Sequence, residues 1–142
     1  MDAAARKPKE QPAPCALIRA CEDTAGKQGL TFKPGISAQS VGATGIYLEL
    51  LTIPPGARAK AHKHLSHETA IYMISGEATT YWGERLENRV VSRAGDFVYV
   101  GANVPHLPVN TGSDPAVAVV ARTDPNEQES IELLPHLDAL VP

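Results

Sequence analysis

Cysteine is nearly absent: Cys15 and Cys21 are the two in a chain of 142 residues. They stand six positions apart in what reads as one strand, where an even step puts both thiols on one face but too far apart to bridge. An intrachain disulfide is therefore not expected, and two semi-buried free thiols in a reducing, cytoplasmic setting are. Clustered positive charge is missing too. The 13 Lys and Arg against 16 Asp and Glu give a net charge of −3, and the cations are scattered, which argues against nucleic acid as a partner. Residues 1–14 are Ala, Lys, Pro and Glu without an apolar segment, so neither a secretory signal nor a membrane span is read there. That stretch is expected as a loosely ordered tail. The remainder, 15–142, has the length of one domain able to bury its own core.

A long apolar run of helical period is also lacking before the C-terminus. Instead, 12 prolines and 11 glycines punctuate short β-rich runs, which favours an all-β fold. Strands are expected at 15–21, 46–53, 61–65, 70–75, 78–82, 88–92, 97–100, 116–121 and 130–134, bounded by turn formers such as Pro54-Pro55-Gly56, Ser75-Gly76 and Ala94-Gly95-Asp96. Eight or nine strands at this spacing predict a double-sheet jelly-roll β-barrel. A short helical segment is expected at 135–140, with Pro135 as its starter and Leu137 and Leu140 facing inward.

Two blocks rich in metal-ligand side chains stand out: Gly56-x5-His62-x-His64-x3-Glu68 and Gly95-x5-Gly101-x-Asn103-x2-His106-x3-Asn110. His62 and His64 are two apart, so on a strand both imidazoles enter the interior while Lys63 points out. Glu68 keeps even parity with them if the strand runs straight, although a turn at 65–67 could intervene. His106 must arrive from another strand, as a closed barrel allows. Three neutral imidazoles and one carboxylate suit Mn, Fe, Ni, Cu, Co or Zn, with positions left for water or substrate.

With these two blocks the chain resembles a small single-domain member of the cupin superfamily. That resemblance implies a jelly-roll barrel with a metal inside it, the ligands His62, His64, Glu68 and His106, and a homodimer. The sequence departs from the family pattern at Gly76, which closes the first block one residue later than usual counted from the glutamate, and at Gly101 and Asn103, where proline and glycine are common. The first departure allows a bulge near Glu68 and makes His67 a rival ligand.

Other side chains are expected around the metal. Tyr47, Glu49, Tyr72, Tyr81, Trp82 and Tyr99 are candidates to line the cavity or fill the core. Tyr72 shares the parity of Glu68 and could donate a proton, and His67 could act as a base. Among the cations, Lys60 has the parity of His62, and Arg122 could clamp an anionic group through its planar fork, so both are expected to bind substrate. The polar segment 121–130 is either a lid over the barrel or an ordinary loop.

The runs His67-Glu68-Thr69-Ala70-Ile71-Tyr72 and 121–130 resemble those of small bacterial cupins, including a methylsulfurylase branch. That likeness implies a manganese-dependent enzyme removing the methylthio group of methylthioxylulose 5-phosphate to give deoxyxylulose 5-phosphate, with glutathione as co-substrate. With Cys15 and Cys21 outside both blocks, a small-molecule thiol is the more plausible attacker. Three alternatives stay open: an Fe(II)-dependent dioxygenase, a sugar isomerase or epimerase, and a non-catalytic small-ligand-binding module.

Overall fold

The computed structural model describes residues 6–19, 22–127 and 130–142. Along these the chain forms β1 (Thr24–Ala25), β2 (Thr31–Ile36), α1 (Ala38–Val41), β3 (Tyr47–Ile53), β4 (His62–His64), β5 (Thr69–Ser75), β6 (Glu77–Trp82), β7 (Asn88–Arg93), β8 (Phe97–Val100), β9 (His106–Val109), β10 (Ala116–Arg122), β11 (Ile131–Leu133) and α2 (Pro135–Asp138). They build two sheets, ordered β1-β2-β3-β10-β5-β8 and β11-β4-β9-β6-β7. This is the two-sheet jelly roll expected from the spacing of turns. No helix among the described residues is long and apolar enough to cross a membrane.

β10 is the clearest product of its sequence. Its run AVAVVAR is buried at every second residue, since a half-buried strand offers one face to the core and one outward. It pairs antiparallel with β3 over seven residues, from Ala116 opposite Ile53 to Arg122 opposite Tyr47, and with β5 on its other side. Between β5 and β6 the chain leaves one sheet for the other at Gly76, which has φ +76° and whose added Cβ would lie 2.2 Å from the Pro115 oxygen. Only glycine fits such a corner.

Between the sheets, Leu30, Ile53, Met73 and Ala118 pack into one cluster and line a cavity shared with His62, His64 and His106. A second cluster, Ala61, Leu86, Leu107, Val109, Leu137 and Val141, lies where α2 covers the second sheet. The expected C-terminal helix is present, and Leu137 is buried; Leu140, expected inward, is 47% exposed because the helix stops at Asp138. Arg58 holds this end down, its guanidinium donating to the carbonyls of Asp138 and Val141 at 2.7 and 3.0 Å.

The N-terminal part departs from expectation. No strand forms at residues 15–19, where Cys15 and Leu17 are exposed; the run Cys-Ala-Leu-Ile is apolar without the alternation that lets a strand bury one face. Ala20 and Cys21, the rest of that expected strand, lie outside the described residues. Residues 6–13, expected as a loose tail, run along α1, with Lys9 N donating to Ala38 O at 2.9 Å and Ala13 N to Val41 O at 2.8 Å. Strands β1, β2 and β9 and helix α1 were not read from the sequence.

Candidate metal centre

Strand β4 is short and strictly alternating: His62 and His64 are buried, and Lys63 points out to an ion pair with Glu132 at 3.2 Å. β9 lies beside it and sets His106 directly opposite His62. The three rings meet with centroids 4.3 to 5.1 Å apart, and one nitrogen from each lies within 4.8 Å of the others. Asn103 fixes the end of β4: its N–H donates to His64 O at 3.0 Å, and its side-chain oxygen accepts from Ser66 N at 3.1 Å. It stands where the family commonly has glycine and adopts φ +62°, a conformation asparagine tolerates better than most residues.

The ring tautomers are set by the backbone. His62 Nδ1 lies 2.6 Å from Lys60 O, and His106 Nδ1 lies 2.9 Å from Val104 O. A carbonyl only accepts, so Nδ1 carries the proton in each ring and Nε2 keeps its lone pair, the arrangement a metal needs. Burial is the main reason that His62 is held well below the usual histidine range and His106 at about 4, with neighbouring imidazoles and Arg122 adding to it. Both rings are neutral near pH 7. With His62 and His106 neutral and pre-aimed and His64 converging on them, the three histidines fit a divalent metal.

The facing sheet supplies the opposite wall. Tyr47, Arg122, Thr69 and Val100 form one row across β3, β10, β5 and β8. Arg122 is buried, pairs with Glu49 at 2.5 Å, and lies 4.5 Å above the centre of the Tyr47 ring. Between the walls is a cavity of about 70 Å³ whose polar lining, besides the histidines, is Gln28, Glu49, Thr69, Thr80, Ser92 and Arg122. A wider outer recess of about 610 Å³ shares Thr80, Ser92, Val98 and Val100 with it and is walled by Trp82, Phe97 and Tyr99.

Of the residues expected from the sequence, the fold brings His62, His64, His106 and Arg122 to one cavity, with Glu49 and Tyr47 beside Arg122. Glu68 is not brought there: it is exposed, and its carboxylate accepts from the Tyr99 hydroxyl at 2.7 Å. Among the described residues the group able to hold a metal is the three histidines alone. The reason is register, because Thr69, Ile71 and Met73 turn inward on β5, which sends Glu68, Ala70 and Tyr72 to the outer face. Tyr72 is 40% exposed and packs on Phe97. Lys60 is exposed, and His67 sits outside the cavity, 3.8 Å from Asp124. In the segment 121–130, Asp124 accepts from Asn126 N and Ser130 N, and Glu127 pairs with Arg6 and accepts from Ser37. These bonds brace the described part of it that follows β10, residues 123–127 and 130.

Gln28, Thr69, Thr80 and Ser92 were missed. For Thr69 the signal was available: it stands at the usual spacing before Gly76, and it shares the parity of Met73.

The sequence profile of the Cupin domain family matches residues 49–122. No curated protein matches the chain in sequence. Among solved structures, a protein of Acidithiobacillus ferrooxidans provisionally assigned as a sugar phosphate isomerase is 22% identical with a TM-score of 0.59, over 74% of this chain and 67% of that one. Oxalate decarboxylase of Lactobacillus farciminis, in complex with formate, is 21% identical with a TM-score of 0.65, over 88% of this chain and 36% of that one. The oxalate decarboxylase of Bacillus subtilis is 23% identical with a TM-score of 0.64, over 84% and 30%. The chain thus spans about a third of the length of these decarboxylases, and at such identities the likeness is one of fold. With the family profile covering more than half of its residues and the three histidines converging inside a jelly roll, the chain belongs to the cupin-domain family.

Proposed function

We propose that the chain is a metal-dependent enzyme acting on a small, oxygen-rich anionic substrate. The observation that carries this reading is the shared cavity: three convergent imidazoles on one wall and a buried guanidinium on the other. His62, His64 and His106 would hold a divalent metal, which would supply Lewis-acid polarisation of a substrate oxygen. The residues do the rest. Backbone carbonyls lock the His62 and His106 rings in place, and Arg122, steadied by Glu49 and Tyr47, presents positive potential that favours an anion. Glu49 is the carboxylate among the described residues that line the cavity, and it replaces His67 as the group placed to accept a proton.

Within this reading, methylthioxylulose 5-phosphate with glutathione is the candidate that the sequence resemblance names, and manganese is the metal to try first. The test is elemental analysis joined to an assay of that pair. About one divalent metal per chain is expected in the native protein and none in His106→Ala, with turnover confined to the loaded form. A folded, metal-free protein that turns the substrate over equally well would overturn the reading. A second reading, an Fe(II)-dependent dioxygenase, is supported by the coordination positions that three histidine ligands leave free and by the cavity's aliphatic lining. Oxygen uptake on adding Fe(II) and substrate separates the two.

A further inference from the structure

Two side chains of the cavity wall each carry a buried polar atom with no hydrogen-bond partner among the described residues: Thr69 (Oγ1) and Gln28 (Oε1). Thr69 is 4% exposed and Gln28 8%, and both line the recess that holds the histidines and Arg122. Leaving such an atom unsatisfied costs about 1–3 kcal/mol, so a pair of them in one cavity points to a bound molecule that completes their bonding. Their chemistry differs in a useful way. The threonine hydroxyl can donate to an anionic oxygen, whereas the glutamine oxygen can only accept, for instance from a hydroxyl.

Charge balance supplies a second argument. Three neutral imidazoles leave the charge of a divalent cation unmatched. Glu68 is in solvent, Glu49 is engaged by Arg122, and the inward position at the start of β5 is a threonine. We propose that the substrate itself brings the anionic ligand: a small 2-hydroxycarboxylate whose carboxylate completes the metal site beside Thr69 and whose hydroxyl is received by Gln28 Oε1. This rests on the three-histidine metal site of the preceding reading and selects, within it, a carboxylate over a phosphorylated sugar. A compact acid also suits an inner cavity of about 70 Å³.

Cobalt(II) titrations followed by calorimetry and visible absorption test this, with glycolate as the probe and inorganic phosphate as the comparison. Glycolate is expected to tighten cobalt binding about tenfold by linkage and to shift the cobalt bands, while phosphate does neither. Thr69→Val, which removes a hydroxyl that bonds nothing among the described residues, is expected to keep cobalt affinity and lose about tenfold in glycolate affinity. Thr69→Glu supplies a carboxylate from the chain, so it should bind cobalt more tightly and ignore glycolate. Glu68→Gln should behave as the native protein. Indifference of the native protein to glycolate, an equal response to phosphate, or loss of cobalt in Glu68→Gln each overturns the proposal. Failure of the native protein to bind cobalt more tightly than folded His106→Ala overturns the metal site itself, a result distinguishable from the others.

Discussion

Glu68 and Thr69 are adjacent, and the single strand step between them separates solvent from the cavity wall. Side-chain direction alternates along a strand, so identity at one position says nothing until the register is known. The same logic gives Glu49 its place, since it sits two steps from Tyr47 on the inward face of β3. Its pairing with Arg122 is almost fully buried, at 2% and 4% side-chain exposure. Buried pairs need not stabilise relative to apolar residues, but removing one partner strands the other charge. Glu49→Gln is therefore expected to destabilise the protein by about 3–5 kcal/mol, read as a lowered urea midpoint at unchanged slope. A loss near zero would show that Arg122 is solvated and that the cavity is wetter than its geometry implies.

At the scale of elements, corners decide the site as much as strands do. Asn110, the last residue of the second block, is fully buried and joins backbone segments: its amide donates to Ile53 O and Asp114 O at 2.9 and 2.7 Å, and its oxygen accepts from Gly112 N at 2.9 Å. It ties the loop after β9 to the end of β3. Gly76 does the equivalent between β5 and β6. Gly76→Ala would demand a left-handed conformation and push a methyl group into the Pro115 carbonyl, so a loss of at least about 2 kcal/mol is expected. Thermal unfolding checks it, and a melting temperature equal to the native one would mean that the corner relaxes freely. These two positions were legible as motif members, while their structural purpose was not, because each depends on a partner loop distant in sequence.

For the whole molecule, burying the His62 and His106 imidazoles couples stability to pH. His106 titrates at about 4 in the folded chain against 6.5 for an ordinary histidine, and His62 is shifted the same way. Between those values the unfolded chain takes up a proton that the native state refuses, so stability rises with pH across this window. The metal-free protein should hold its full stability above pH 6.5 and lose on the order of 3 kcal/mol from His106 alone as pH falls to about 4. Denaturant titrations of stripped protein across that range measure it. A flat profile would mean that the histidines are solvated in the metal-free state. Bound metal competes with the proton for the same lone pairs, so the loaded form should show a steeper acid limb.

The sequence by itself determined the all-β jelly roll, eight of its strands to within a residue or two, and the three histidines, because alternation, turn formers and the His62-Lys63-His64 step are local patterns. It also marked Arg122. Only the tertiary structure decided that Glu68 stays in solvent, that Thr69 and Gln28 complete the cavity, and that His67, Tyr72 and Lys60 stand outside it. Those outcomes rest on the register between strands far apart in the chain: which face a residue presents is fixed when β5 pairs with β10, and within β5 the parity of Thr69 with Met73 is the local trace of it.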